Sequence, residues 1–145
     1  MLFLAWSDYG DLWGSYAFRP TVARLNAATS QAKTIDTSLN EALMLAVAGD
    51  TLWVGDHARP QVARVQAVGA PRSRVITLRP GSSGAQFGGI AADGDAAWAT
   101  LRDAQQLWRI DAETNATTSI DVPYPAGGVA VGKEAVWVTV YDENR

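Results

Sequence analysis

Gly128-Val129-Ala130-Val131-Gly132-Lys133-Glu134-Ala135-Val136-Trp137-Val138-Thr139-Val140 consists of two short apolar runs around a small polar turn, the pattern of a β-hairpin. The pattern also occurs upstream, as Met44-Leu45-Ala46-Val47-Ala48-Gly49-Asp50-Thr51-Leu52-Trp53-Val54 and as Gly89-Ile90-Ala91-Ala92-Asp93-Gly94-Asp95-Ala96-Ala97-Trp98-Ala99. A degenerate copy runs from Leu2-Phe3-Leu4-Ala5 to Asp11-Leu12-Trp13. The chain is a repeat, and the period of a repeat decides its fold class.

Three landmarks set that period. Trp13, Trp53, Trp98 and Trp137 lie 40, 45 and 39 residues apart. Arg24, Arg64 and Arg109 each follow their tryptophan by 11 residues, and Ile35, Ile76 and Ile120 follow those arginines by 11, 12 and 11. Each unit reads as four short strands, a to d. The apolar runs are only about 4 to 6 residues long, favour Val, Ile, Trp and Leu, and end at Gly, Asp, Asn, Ser or Pro. Strand a is Leu2 to Ala5, Met44 to Ala48, Gly89 to Ala92 and Val129 to Val131; strand b carries the tryptophan, c the arginine and d the isoleucine. Turn residues join a to b at Gly49-Asp50, Asp93-Gly94-Asp95 and Gly132-Lys133-Glu134, and c to d at Asn26 to Thr29 and Asp111 to Asn115. The stretches 37–41, 79–84 and 122–127 link one unit to the next.

Four antiparallel strands every 40 or so residues describe an all-β protein built as a β-propeller of four-stranded blades. One such sheet cannot bury both apolar faces alone, so blades stack around an axis and large tryptophans, Trp98 among them, are expected to fill the wedges between neighbours. The boundaries fall near 1–38, 42–79 and 87–122, with a half blade at 127–142, all in one domain spanning 1–145. Gly128 to Thr139, together with Leu107-Trp108-Arg109-Ile110-Asp111-Ala112-Glu113-Thr114-Asn115-Ala116-Thr117-Thr118-Ser119-Ile120, resembles the bacterial YVTN-type propellers and their NHL-type and virginiamycin B lyase-like relatives. About three and a half blades fall short of the roughly 4 to 8 of closed propellers. The expectation is a piece of a larger propeller that self-associates through its exposed blade faces.

Composition bounds the function classes. The 145 residues are 48% hydrophobic and 19% charged with a net charge of −3, as in a globular protein with no basic field for nucleic acid. Cysteine is absent, which rules out disulfides and thiolate metal sites but does not indicate a compartment. The apolar start, Met1 to Trp6, has no basic leader region and is too short to span a membrane, so it reads as the first strand.

By analogy with the fold, ligands are expected on the edge built from the b–c and d–a loops. The candidate binding residues there are Tyr16 and Arg19, then Asp56, His57 and Arg59, then Arg102 and Asp103, and finally Tyr141 and Asp142. Side chains of both signs suit a small polar ligand or a peptide. Asp56-His57 has the composition of a tuned base, although such a pair in a polar loop is more often solvated surface. The recurrent strand-c arginines read as structural, each laying its stem on a tryptophan and pairing with loop acids. Ser7 to Trp13 has Asp-box-like spacing but reads as a turn.

The lyase-like resemblance implies an eliminating enzyme that uses histidine, an acid and a divalent metal. Only His57 is present, with no evident matched acid. The expectation is therefore a non-catalytic binding or interaction module, with no cofactor and no metal. The alternative is a virginiamycin B lyase-like or other propeller enzyme, a lyase or hydrolase, whose catalytic residues lie mostly in missing blades.

Overall fold

A computed structural model describes residues 2–16, 18–66, 69–79 and 86–141. Among the described residues there is no helix, and fourteen strands form four antiparallel sheets. Blade 1 is β1 (Leu2–Trp6), β2 (Asp11–Tyr16), β3 (Thr21–Asn26) and β4 (Gln31–Asp36). Blade 2 is β5 (Ala42–Ala48), β6 (Thr51–Asp56), β7 (Gln61–Gln66) and β8 (Arg72–Thr77). Blade 3 is β9 (Phe87–Ala92), β10 (Ala96–Leu101), β11 (Gln106–Asp111) and β12 (Thr117–Asp121). β13 (Ala126–Val131) and β14 (Val136–Val140) form the two-stranded fourth sheet.

Strands are hydrogen-bonded in sequence order within each blade, and the first strands of neighbouring blades pack on one another: β1 on β5, β5 on β9 and β9 on β13. Strand a therefore lines the axis, where space is smallest. A Cβ on Gly88 would lie 2.5 Å from the Gly127 carbonyl oxygen, and one on Gly89 would lie 3.0 Å from Gly128 Cα, so only glycine permits this approach of β9 to β13.

The strand-b tryptophans bury in the direction of the chain. Trp13 is fully buried against Leu52, Val54, Ala63 and Val65 of blade 2, and Trp53 against Ala97, Ala99 and Ile110 of blade 3. Trp98 is only half-buried, contrary to the expectation of a filled wedge, because the sheet on its side has two strands instead of four. Trp137 is 70% exposed. The strand-c arginines cover these rings: Arg24 on Trp13 at 5.7 Å, Arg64 on Trp53 at 5.6 Å and Arg109 on Trp98 at 5.9 Å.

Turns repeat at the atomic level. Asn26 Oδ1 accepts from the backbone N–H groups of Ala28 and Thr29, and Asp111 Oδ1 accepts from those of Glu113 and Thr114 in the corresponding turn of blade 3. The backbone N–H and then the hydroxyl of Thr114 hold the Asp111 carboxyl at a pKa of about 2. Gly49, at φ 55°, opens the two-residue turn between β5 and β6, a conformation a bulkier residue resists. Ser7 to Asp11 is a turn closed by Asp11 N–H donating to Ser7 Oγ at 3.1 Å and Ser7 N–H donating to the Asp11 carbonyl at 3.0 Å.

The links between blades are more ordered than their polar composition suggests. Leu39 and Leu78 are buried, and Thr37, Leu78 and Val122 each donate a backbone N–H to the b–c loop of their own blade, at Pro20, Pro60 and Gln105. Three inner strands also begin earlier than the sequence predicts, β5 at Ala42, β9 at Phe87 and β13 at Ala126. Each carries a register shift near its start, and there the ladder takes in residues ahead of the apolar run, at Ala126 and Gly127 residues that read as linker.

Candidate functional site

The b–c loops and the d–a links meet along one edge of the blades through a repeated backbone bond. The residue following strand b donates to the residue just before strand a: His57 N–H to Glu41 O, Arg102 N–H to Gln86 O and Tyr141 N–H to Pro125 O, each at 2.9 Å. Side chains predicted from sequence thus sit at equivalent positions, but their environments differ.

Asp56 is fully buried, which corrects its reading as part of a solvated loop. Its Oδ1 accepts from the N–H groups of Ala58 at 2.8 Å and Arg59 at 3.2 Å, and its Oδ2 from the N–H of Asn40 at 2.8 Å. The carboxylate is consumed in clamping the b–c loop to the preceding link. His57, by contrast, is exposed and has an acid partner that the sequence does not reveal: its Nδ1 lies 3.2 Å from Glu41 Oε2. Glu41 is sixteen residues upstream, and only the pairing of the link with the end of β6 brings the two together. The Phe18 ring stands edge-on to His57 at 6.3 Å, with Phe18 held at φ 65°, a conformation bulky residues rarely adopt. Arg59 directs its Nη2 and Nε to the Asn40 side-chain oxygen at 3.0 and 3.2 Å when that amide is oriented to accept.

On the seam between blades 3 and 4, three of the predicted residues converge. Arg102, Asp103 and Tyr141, with Pro125, line a cavity of about 480 Å³. The Arg102 guanidinium lies 5.4 Å from the centre of the Tyr141 ring, and its buried Nε has no hydrogen-bond partner among the described residues. Asp103 Oδ2 accepts from Gln86 N–H at 3.3 Å. Tyr16 and Arg19 line a separate groove on blade 1 with Thr21, Val22, Ala23 and Thr34. Asp142 lies outside the described residues. Among the described residues no group of three or more His, Cys, Asp or Glu side chains is arranged to hold a metal ion.

Glu41, Phe18 and Pro125 fall in stretches that the sequence assigns to this edge, but sequence reasoning did not single them out as candidates. The period alone could have found Glu41 and Pro125, since both immediately precede strand a. Phe18 has no counterpart signal.

Comparison with solved structures bears on the fold. The chain superimposes on a streptogramin B lyase with a TM-score of 0.77 at 18% identity, over 95% of this chain and 47% of the lyase. It superimposes on virginiamycin B lyase from Staphylococcus aureus with a TM-score of 0.75 at 14% identity, over 94% of this chain and 47% of that one. The fold is that of a β-propeller related in architecture to virginiamycin B lyase. The same propeller arc matches the extracellular domain of a B. thetaiotaomicron one-component system, BT4673, with a TM-score of 0.71 at 14% identity, over 98% of this chain and 21% of that chain. This chain spans about half the length of the lyases it matches. No protein-family model and no curated protein matches the sequence.

Proposed function

We propose that this propeller is a non-catalytic binding module whose b–c and d–a edge holds a small polar ligand or the end of a peptide at the seam between blades 3 and 4. The observation that carries this reading is the Arg102 guanidinium stacked on Tyr141, with a buried and unpartnered Nε, at a cavity that Asp103 also lines. A buried donor without a partner is costly, and a ligand acceptor would relieve that cost. An aromatic ring, a cation and a carboxylate around a pocket of this size are the usual elements of polar small-molecule recognition. The test is a thermal-shift and NMR screen of small carboxylates, amides and short peptides. Hits should shift the amides of Arg102, Asp103 and Tyr141 and vanish in Arg102→Ala. Hits that persist in that variant, or none at all, would remove the reading.

One observation favours a second reading, that of an enzyme. His57 and Glu41 form an acid–histidine pair on the same edge in a fold shared with virginiamycin B lyase. Imidazole oriented by a carboxylate can act as a general base. Conversion of virginiamycin B by the chain, lost in His57→Gln, would favour this reading; no turnover would count against it.

A further inference from the structure

The face of blade 2 that looks towards blade 3 carries an uncompensated positive cluster, at the edge bearing the a–b and c–d turns and so opposite to the site above. On β7 and β8, Arg64 pairs directly with Arg74, and Gln66 with Arg72. Residues two apart on a strand share a face, so the three arginines project together, beside Trp53 and Thr51 of β6. Directly opposed like charges destabilise a sheet. Together with Asp50, Thr51 and Asn115 the arginines line a groove of about 490 Å³.

The other blades show what is missing. In blade 1, Arg24 donates through Nε at 2.9 Å and through Nη2 to the buried carboxylate of Asp11, opposite Lys33. In blade 3, Arg109 pairs with Asp111 at 3.4 Å, opposite the neutral Thr118. The equivalents of Asp11 and Asp111 in blade 2 are Thr51 and Gln66, which carry no charge. Arg64 instead donates through Nη1 to the neutral Asn115 Oδ1, at 3.3 Å across the seam. Among the described residues none of Arg64, Arg72 and Arg74 forms an ion pair. Arg64 is nevertheless held in place, resting on the Trp53 ring at 5.6 Å.

We propose that this groove binds a small multivalent anion, a phosphorylated or polycarboxylate molecule, which takes the role that Asp11 and Asp111 fill in the neighbouring blades. Guanidinium forks match phosphate and carboxylate oxygens in bidentate geometry, and one side of the groove is already fixed by the stacked Arg64. The groove has the volume of a small-molecule site, and the Thr51 hydroxyl adds a neutral donor to the lining. Asp50 is the one lining carboxylate among the described residues and opposes the ligand's charge.

The experiment is isothermal titration of the whole chain at low salt with pyrophosphate and with citrate, alongside NMR of the arginine Nε–H groups. Saturable one-to-one binding of either probe with shifts at Arg64 and Arg74 is expected, and the tighter probe names the anion class. Replacing both outer arginines, Arg72→Gln with Arg74→Thr, should weaken binding at least about tenfold, as expected on losing charge-assisted bonds. Asp50→Asn should strengthen it, and Lys33→Gln on blade 1 should leave it unchanged. Absence of saturable binding, an unaltered affinity in the double variant, or an equal loss in Lys33→Gln would overturn the proposal. Should the double variant not fold, an unchanged or weakened affinity in Asp50→Asn would overturn it alone.

Discussion

Ser15 Oγ donates across the seam between blades 1 and 2 to the carbonyl oxygen of Leu43, and both residues are buried. Thr100, two residues beyond its tryptophan as Ser15 is beyond Trp13, makes the same bond to the carbonyl of Gly127. In blade 2 this position is Gly55, where a Cβ would come within 3.0 Å of the Phe87 ring. The hydroxyl at this position joins strand b of one blade to strand a of the next, and the blade that lacks it uses an aromatic contact.

Ser15→Ala and Thr100→Val should each cost about 1 to 3 kcal/mol, since a buried carbonyl loses its donor. Urea unfolding at neutral pH measures this, and a loss under about 0.5 kcal/mol in both would remove these bonds from the account of how blades adhere.

The tryptophans should rank by what covers them. Trp53→Ala is expected to cost about 3 to 5 kcal/mol, as for a fully buried large aromatic. Trp137→Ala, at 70% exposure, should stay within about 0.5 kcal/mol, with Trp98→Ala between the two. Equal losses at Trp53 and Trp137 would contradict the directional stacking.

Asp56 and His57 are adjacent in sequence and should respond in opposite ways. Asp56→Ala leaves the N–H groups of Asn40, Ala58 and Arg59 without their acceptor and should cost about 1 to 3 kcal/mol or more. His57→Ala should be neutral within about 0.5 kcal/mol, because an exposed pair adds little. Chemical denaturation of the two variants side by side distinguishes a structural carboxylate from a surface one.

Asp111 gives the pH dependence. Its carboxyl is lowered from 3.8 to about 2, first by the Thr114 backbone N–H and then by the Thr114 hydroxyl. A folded-state value below the unfolded one means that this stabilisation is complete above 3.8 and is lost as pH falls through about 2. Carbon-detected NMR titration should place the Asp111 midpoint near 2, and Thr114→Ala should raise it. A midpoint unmoved by that substitution would assign the shift to another cause.

The sequence by itself determined the repeat, because Trp, Arg and Ile at fixed offsets report a local pattern of strands and turns that every copy must satisfy. From that pattern follow the four-strand sheet and the stacking of the arginines on the tryptophans. Tertiary structure decided which of those residues are available. Asp56 and His57 are neighbours in the chain, yet backbone donors bury one while the other turns to Glu41, brought sixteen residues forward by a link that reads as featureless. Arg64 looks like Arg24 and Arg109 by offset, and only strand register shows that it faces Arg74 with no carboxylate beside it. Offsets along a chain are set by local backbone geometry, whereas charge balance and burial depend on what the neighbouring strand and the neighbouring blade place against each side chain.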